Sequence, residues 1–211
     1  MRTYVLSMWL LLPIGAGAYH LGPGQDRLLL DDAGKLLARA DEHAARAAEL
    51  AASEGDEQAK SEWTLAEEAY EEALGLLPHD QVATLRRVRL ERSKCRMFLS
   101  ELPEANADLV TLVDEMTADP AADAEVLDGA RDALANSNYY MTWLMRLEGA
   151  GRDEWEPRIE ASRQTYKLLA EQAAEAGDED AVREHREDLE SAIRLARMDL
   201  TELQGLPLPS Q

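Results

Sequence analysis

The sequence predicts an all-α protein of antiparallel helix pairs, with about seven helices. Three observations predict it. Ala, Leu, Glu, Arg and Asp dominate the composition, apolar residues recur every three to four positions, and Gly, Pro and Asp stand between the periodic segments. One Phe and eight Pro among 211 residues are poor material for a β-sheet, whereas 45% apolar residues suffice for a core. An irregular helical bundle is the alternative arrangement.

The first predicted helix, 26–54, shows the helical period clearly. Its apolar residues step by three and four and form one stripe: Leu29, Ala33, Leu36, Leu37, Ala40, Ala44, Ala47 and Ala51. Charged residues lie largely off this stripe. Because the stripe is rich in alanine, we expect a neighbouring helix to approach it closely.

A twelve-residue segment that occurs twice marks two of the predicted connections between helices. Residues 48–59, AELAASEGDEQA, agree with residues 170–181, AEQAAEAGDEDA, at eight of twelve positions. Gly55 and Gly177 are expected to end a helix in the left-handed conformation, which costs glycine little. Asp56 and Asp178 then accept hydrogen bonds from the free N–H groups of the next helix. Each of the two segments therefore predicts a tight turn between two helices.

Proline and further glycine residues mark other joints. Pro103 and Pro120 are expected in the first turns of two helices, where the missing N–H costs nothing. After Gly151, Asp153 and Glu156 are expected to form a capping pair. The predicted helices are 26–54, 57–77, 80–101, 104–117, 121–148, 153–176 and 179–204.

The first eighteen residues differ from the rest of the chain. Arg2 precedes an uncharged, mostly apolar run, and Ala16 and Ala18 place small residues where a signal peptidase reads them. Residues 1–18 are therefore interpreted as a cleaved signal peptide or, alternatively, an uncleaved membrane anchor. Both place the helical part outside the cytoplasm, either periplasmic or anchored to the inner membrane of a bacterial-type envelope.

The rest of the chain divides simply by composition. Residues 19–25 contain Gly and Pro and are interpreted as a linker. Residues 26–204 are predicted to form a single all-helical domain, and residues 205–211, GLPLPSQ, an extended tail.

The second predicted helix carries a more specific pattern: Ala66, Tyr70, Ala73, Leu74 and Pro78. This order of small, aromatic, small, leucine and proline resembles the second helix of a tetratricopeptide repeat. The resemblance implies a right-handed stack of helix pairs that binds peptide segments or protein partners on its concave face. The chain departs from the family in its drifting period, its longer helices and the missing Trp-Leu-Gly-Tyr signature of the first helix.

Charge limits the choice of partner. The formal net charge is −20, from 42 acidic and 22 basic residues. Such a surface repels phosphate backbones and anionic lipid heads, so we expect neither nucleic-acid binding nor membrane contact beyond the amino-terminal segment. The bland interpretation is that acidity keeps an alanine-rich helical protein soluble.

The segment 86–96, RRVRLERSKCR, reverses the charge locally, with six basic residues in eleven. Arg86, Arg89 and Arg96 fall near one helix face and could bind an acidic or carboxyl-terminal peptide, since the guanidinium group grips a carboxylate with two donors. The alternative, which the abundance of acidic residues favours, is that these arginines pair with the second and fourth helices.

The segment 136–149 concentrates aromatic residues. Tyr139, Tyr140 and Trp143 would form a binding hot spot if exposed, and Asn136 and Asn138 could bind a peptide backbone. The alternative is that the aromatic residues pack in the core.

Patterns that carry chemistry are missing from the sequence. Neither Glu-x-x-His nor His-Glu-x-x-His occurs, and no phosphate-binding glycine loop or Gly-x-Ser-x-Gly is present. The single cysteine, Cys95, excludes an internal disulfide. We therefore expect no enzyme activity, cofactor or metal site. The predicted function is a protein–protein interaction module, a scaffold or adaptor that captures a partner segment in a helical groove. The alternative is a structural or self-associating, homo-oligomeric subunit of an envelope complex.

Overall fold

The computed structural model describes residues 23–53 and 56–205, which are helical with short connections and contain no strand within those ranges. The helices are α1 Pro23–Ala52, α2 Asp56–Leu76, α3 Val82–Phe98, α4 Leu102–Thr117, α5 Ala124–Leu147, α6 Arg152–Ala176, α7 Glu179–Arg197 and α8 Leu200–Gln204. The predicted all-α class is confirmed. The finer arrangement, a right-handed tetratricopeptide-like stack, stays a prediction.

The chain separates into two compact units. The first ends at Val88 and the second begins at Arg89, within α3. The prediction of one domain over residues 26–204 therefore stays a prediction.

The first unit is built on the close packing of α1 against α2. Buried alanines recur at intervals of seven on both helices: Ala33, Ala40 and Ala47 on α1, and Ala59, Ala66 and Ala73 on α2. A strict seven-residue repeat keeps one face of each helix toward its partner, and alanine lets the two backbones come close. The expected alanine contact is thus present, although Leu29, assigned to the same stripe, is 40% exposed.

Polar side chains flank the alanine contact in the first unit. The Tyr70 hydroxyl donates to the Asp41 carboxylate at 2.6 Å, and His43 Nδ1 lies 2.6 Å from Glu62 Oε2. Each pair joins α1 to α2. The hydrogen bond from His43 holds the pKa of the Glu62 carboxyl below its usual value, with the Arg46 charge as a smaller cause.

The second unit packs its helices in sequence order, α4 against α5, α5 against α6 and α6 against α7. One group of buried residues comes from α3, α4 and α5, and includes Leu90, Met97, Leu109, Leu112 and Ala130. Another comes from α5 to α8 and includes Trp143, Trp155, Ile159, Tyr166 and Leu195. Helix α5 contributes to both groups and therefore lies at the centre of this unit.

Two predicted joints have the expected geometry. Gly177 adopts a left-handed φ of 77° at the end of α6, and the Asp178 carboxylate accepts from the Ala181 N–H at the start of α7. Pro103 lies in the first turn of α4. The matching joint at Gly55 lies outside the described residues.

Three predicted helix ends were wrong. Pro120 lies before α5 and not in its first turn. The helix begins after Asp123, because the Asp123 carboxylate accepts hydrogen bonds from the N–H groups of Glu125 and Val126. Glu154 takes the capping role expected of Glu156, because it accepts from the Gly151 N–H.

The third wrong end concerns the last predicted helix, 179–204. It is interrupted at Met198, which has an extended ψ of 143°, and α8 restarts after it. The reason is a capping box, in which Asp199 and Glu202 each accept the other's backbone N–H.

Residues 1–18, interpreted as a signal peptide or anchor, lie outside the described residues. So does the linker up to residue 22, and so do residues 206–211 of the predicted tail. Within the described residues, no helix combines the length and the apolar character needed to cross a bilayer.

Candidate functional site

A buried polar network fixes the position of α5 among its neighbours. Asn106 on α4 donates to Ser137 Oγ at 2.7 Å and to Asn138 Oδ1 at 3.1 Å. Arg158 on α6 donates to Asn106 Oδ1 at 3.2 Å. Ser162, also on α6, donates to the Ala135 carbonyl at 2.9 Å. Buried polar groups of this kind specify one arrangement of helices, because any shift leaves them unpaired.

Asn138, which could bind a peptide backbone by the sequence prediction, has a partner inside the unit. It is buried, and its side-chain oxygen accepts from Asn106 within the unit. Thr142 donates to the Asn138 carbonyl at 2.8 Å. Its position inside a helix is explained by this internal pairing.

Asn136, about one helical turn from Tyr140 on the same helix, opens onto a surface cavity of about 180 Å³. The cavity lies between α3 and α5 and is lined by Lys94, Met97, Phe98, Asp132, Ala133, Asn136 and Tyr140. Its wall is thus mostly apolar, with an amide, a carboxylate and an ammonium group around it. Two residues predicted for binding, Asn136 and Tyr140, therefore meet at one site, which we call the α3–α5 cavity.

Burial changes the electrostatics of the groups around this cavity. It raises the pKa of the Asp132 carboxyl, although the charges of His185 and Lys94 act in the opposite direction. It also raises the pKa of the Tyr140 hydroxyl, which remains neutral at physiological pH. Lys94 itself pairs with Glu91 on the same helix at 2.9 Å.

The other aromatic residues of α5 are partly internal. Trp143 is 5% exposed and belongs to the core of the second unit. Tyr139 lies between Tyr140 and Trp143, with an edge-on contact to the Tyr140 ring at 5.5 Å and a tilted one to Trp143 at 6.3 Å. Of these three aromatic residues, Tyr139 and Tyr140 are half-buried and keep part of their rings at the surface.

The basic segment lies along α3, and three of its arginines have acidic partners on α4 or just before it. Arg89 lies 2.5 Å from Glu115, and Arg92 lies 3.7 Å from Asp108. Arg96 lies 2.9 Å from Asp108 and 3.6 Å from Glu101. Arg86 is half-buried in the first unit. These ion pairs of Arg89 and Arg96 are of the kind expected if the arginines pair with acidic residues of the same chain. A peptide-binding role for these arginines stays a prediction.

Sequence reasoning missed Lys94 and Asp132. Each stands among many charged residues, and helical periodicity shows which face of one helix is apolar but not which faces of two helices meet. The spacing of Asp132 and Asn136, four residues apart on one helix face, was the available signal.

The fold and the cavity together define an all-α protein with a small, mixed apolar and polar surface site. No family model matches the chain, no curated protein is similar to it, and no solved structure matches it. The site must therefore be interpreted from its own residues.

Proposed function

We propose that this protein is a non-enzymatic interaction module whose second unit binds a short segment of a partner protein at the α3–α5 cavity. The observation that carries the proposal is the combination of an apolar wall with Asn136 at its edge. The cavity of about 180 Å³ is smaller than the roughly 300–1,000 Å³ of small-molecule pockets, so it suits one side chain of a partner better than a whole small molecule.

Asn136 supplies the polar half of this recognition. A carboxamide offers both donors and an acceptor, and can pair with both groups of a peptide unit. Met97 and Phe98 supply apolar surface beside it, and methionine adapts its shape to what it contacts. The expected ligand is a segment that presents one large apolar side chain and a free backbone edge.

The location of this activity follows from the amino-terminal sequence. A signal peptide or anchor in residues 1–18 places the helical units outside the cytoplasm, periplasmic or held at the inner membrane. The tetratricopeptide resemblance of Ala66, Tyr70, Ala73, Leu74 and Pro78 supports a scaffold or adaptor role, in which a preformed surface captures its partner.

The test compares two variants that carry the same change on the same helix. Asn136→Arg places a bulky cation in the cavity, whereas Leu144→Arg places it at an exposed position two turns further along. Full-length proteins are captured from crosslinked bacterial envelopes and their partners are identified by mass spectrometry. We expect a discrete partner with the wild type and the Leu144 variant, lost in a folded Asn136 variant. An identical partner set in all three contradicts the proposal.

Self-association is a second candidate, and exposed leucines at the start of α1 favour it. Leu28, Leu29 and Leu30 are consecutive on α1 and are 55%, 40% and 38% exposed. Large exposed apolar side chains gathered on one helical turn are often covered by another chain. If so, Leu29→Glu lowers the molecular mass measured by light scattering across a concentration series, and a mass of one chain throughout excludes this role.

A further inference from the structure

Helices α5 and α7 bring three potential metal ligands together in the second unit. Asp132 on α5 and His185 and Asp188 on α7 each offer one ligand atom, and these atoms lie within 4.8 Å of one another. His185 and Asp188 are three residues apart and therefore share one face of α7. Since α6 separates α5 from α7 along the chain, the group joins two helices that are not consecutive.

The imidazole of His185 has a buried ring nitrogen without a hydrogen-bond partner. Its Nδ1 is buried and makes no hydrogen bond. The nearest acidic atom, Asp132 Oδ1, lies 3.7 Å away, beyond hydrogen-bond distance. A buried ring nitrogen without a partner is uncommon, and on a neutral imidazole its lone pair is a metal ligand.

The two carboxylates of this group lie close together. Asp132 and Asp188 are both half-buried, and their ligand atoms lie within 4.8 Å of each other and of His185. Two negative charges this close repel each other where water screens them only in part. A divalent cation between them would offset that repulsion.

The distances suit a transition-metal ion. Bonds of about 2.0–2.2 Å to nitrogen and oxygen place neighbouring ligand atoms roughly 3.4 Å apart in a tetrahedral site. The separation of 3.7 Å between His185 Nδ1 and Asp132 Oδ1 reaches this value with a small side-chain movement. One imidazole and two carboxylates are a ligand set that first-row transition metals accept.

We propose that Asp132, His185 and Asp188 bind a divalent first-row transition-metal ion of the Zn²⁺ type and that this ion ties α5 to α7. Water or a further donor completes its coordination. Since Asp132 also lines the α3–α5 cavity, the ion fixes one wall of that cavity. The metal site stands independently of what the cavity binds.

A further sequence signal for this site is the spacing His185-x-x-Asp188. It reverses the order of the Glu-x-x-His pattern and places the same kinds of donor on one helix face. Asp132 could not be joined to the pair from sequence, because 53 positions separate it from His185 and only the packing of α7 brings them together.

The test titrates chelator-treated full-length protein with Zn²⁺, using a chromophoric competitor to measure affinity. We expect one Zn²⁺ per chain, and a loss of affinity of about tenfold or more in His185→Gln and in Asp188→Asn. Glu187→Gln is the matched control, because it removes a charge from an exposed neighbour of Asp188 on the same helix and should leave the affinity unchanged. Millimolar Mg²⁺ should not compete, since imidazole favours the transition metals.

Cobalt provides a second measurement on the same proteins. Co²⁺ bound to the wild type should give visible absorption bands that are lost in His185→Gln, while far-UV circular dichroism shows that both proteins are folded. Equal Zn²⁺ affinity in the wild type and the two ligand variants contradicts the proposal. So does Zn²⁺ binding that weakens equally in Glu187→Gln, because it would report the general acidity of α7.

Discussion

The two units of this protein are stabilised in different ways. In the first, α1 and α2 meet through alanines such as Ala40 and Ala66, and the polar pairs lie beside the contact. In the second, polar groups such as Asn106 and Ser137 are buried between larger apolar residues. Small residues let two helices pack closely. Buried polar groups instead specify one arrangement of the helices, at some cost in stability. The candidate site lies in the second unit, because every residue that lines the α3–α5 cavity belongs to it.

The acidic residues show the same contrast. In the first unit the pKa of Glu62 is lowered by the hydrogen bond from His43, so its ionised form is favoured by the fold. In the second unit burial raises the pKa of Asp132 and Asp188, so their ionised forms are disfavoured. Carboxylates that a fold disfavours are typical of binding sites, because a ligand then supplies the missing interaction.

The largest effect is expected from shortening an apolar side chain of the second unit. Leu109 on α4 is fully buried. Leu109→Ala should lower the free energy of unfolding by about 2–5 kcal/mol, since it removes apolar contact and leaves a cavity. Urea unfolding followed by tryptophan fluorescence measures it. A loss below about 1 kcal/mol would mean that this core is not tightly packed.

The opposite change should damage the first unit. Ala66→Leu places three extra carbons where α1 and α2 approach through alanine, and should cost about 1–3 kcal/mol. Ala45→Leu is the matched control on an exposed face of α1 and should change stability by less than about 0.5 kcal/mol. If both variants are equally stable, the alanine contact is looser than the structure shows.

Acidity should affect the two units in opposite directions. The folded pKa of Glu62 lies below its usual value of 4.5, so its contribution is present above that pH and is lost as the pH falls through the folded pKa. The folded pKa of Asp188, about 6, lies above its usual 3.8, so its cost is absent below pH 3.8 and complete above 6. In chelator, Glu62→Gln should therefore destabilise α1 and α2 at neutral pH, whereas Asp188→Asn should stabilise α7.

Hydrogen exchange with mass spectrometry resolves the two units in one full-length sample. Measured at pH 7 and pH 4, and corrected for the intrinsic exchange rates, both differences from the wild type should shrink in acid. Shifts of the same sign in Glu62→Gln and Asp188→Asn would refute the electrostatic contrast between the units.

The smallest effect is expected at the ion pair between Arg89 and Glu115. Both side chains are partly exposed, at 31% and 45%, so Arg89→Glu should cost no more than about 1 kcal/mol. The swapped variant, Arg89→Glu with Glu115→Arg, should recover the loss in urea unfolding. Partner capture by the swapped variant separates an ion-pairing role of Arg89 from a binding role. If partner capture recovers together with stability, Arg89 only pairs with Glu115. If stability recovers but partner capture stays lost, Arg89 contacts the partner.

Local patterns of the sequence predicted much of the fold. The all-α class and the joints at Pro103 and Gly177 depend on nearest neighbours along the chain, and the structure has them. The interruption at Met198 was missed because the apolar period continues through it while Asp199 and Glu202 cap a new helix. Caps compete with helix continuation over only a few residues, and periodicity does not detect this.

The candidate site was less predictable. Asn136 and Tyr140 were selected for their residue types, whereas Lys94, Asp132 and His185 become significant only through packing. Which face of α7 lies against α5 depends on long-range contacts such as those of Leu195 and Tyr166, and a single sequence does not display them. Residue types can suggest a site, but its members from other helices come from tertiary structure.

Partner binding at the α3–α5 cavity of the second unit is tested most directly by a photo-crosslinking amino acid placed at Asn136 of the full-length protein. The same group at exposed Thr64 on α2 is the control. Irradiation of living cells should give a discrete crosslinked partner from position 136 and none from position 64. The same partner from position 64, with none from position 136, would contradict the claim.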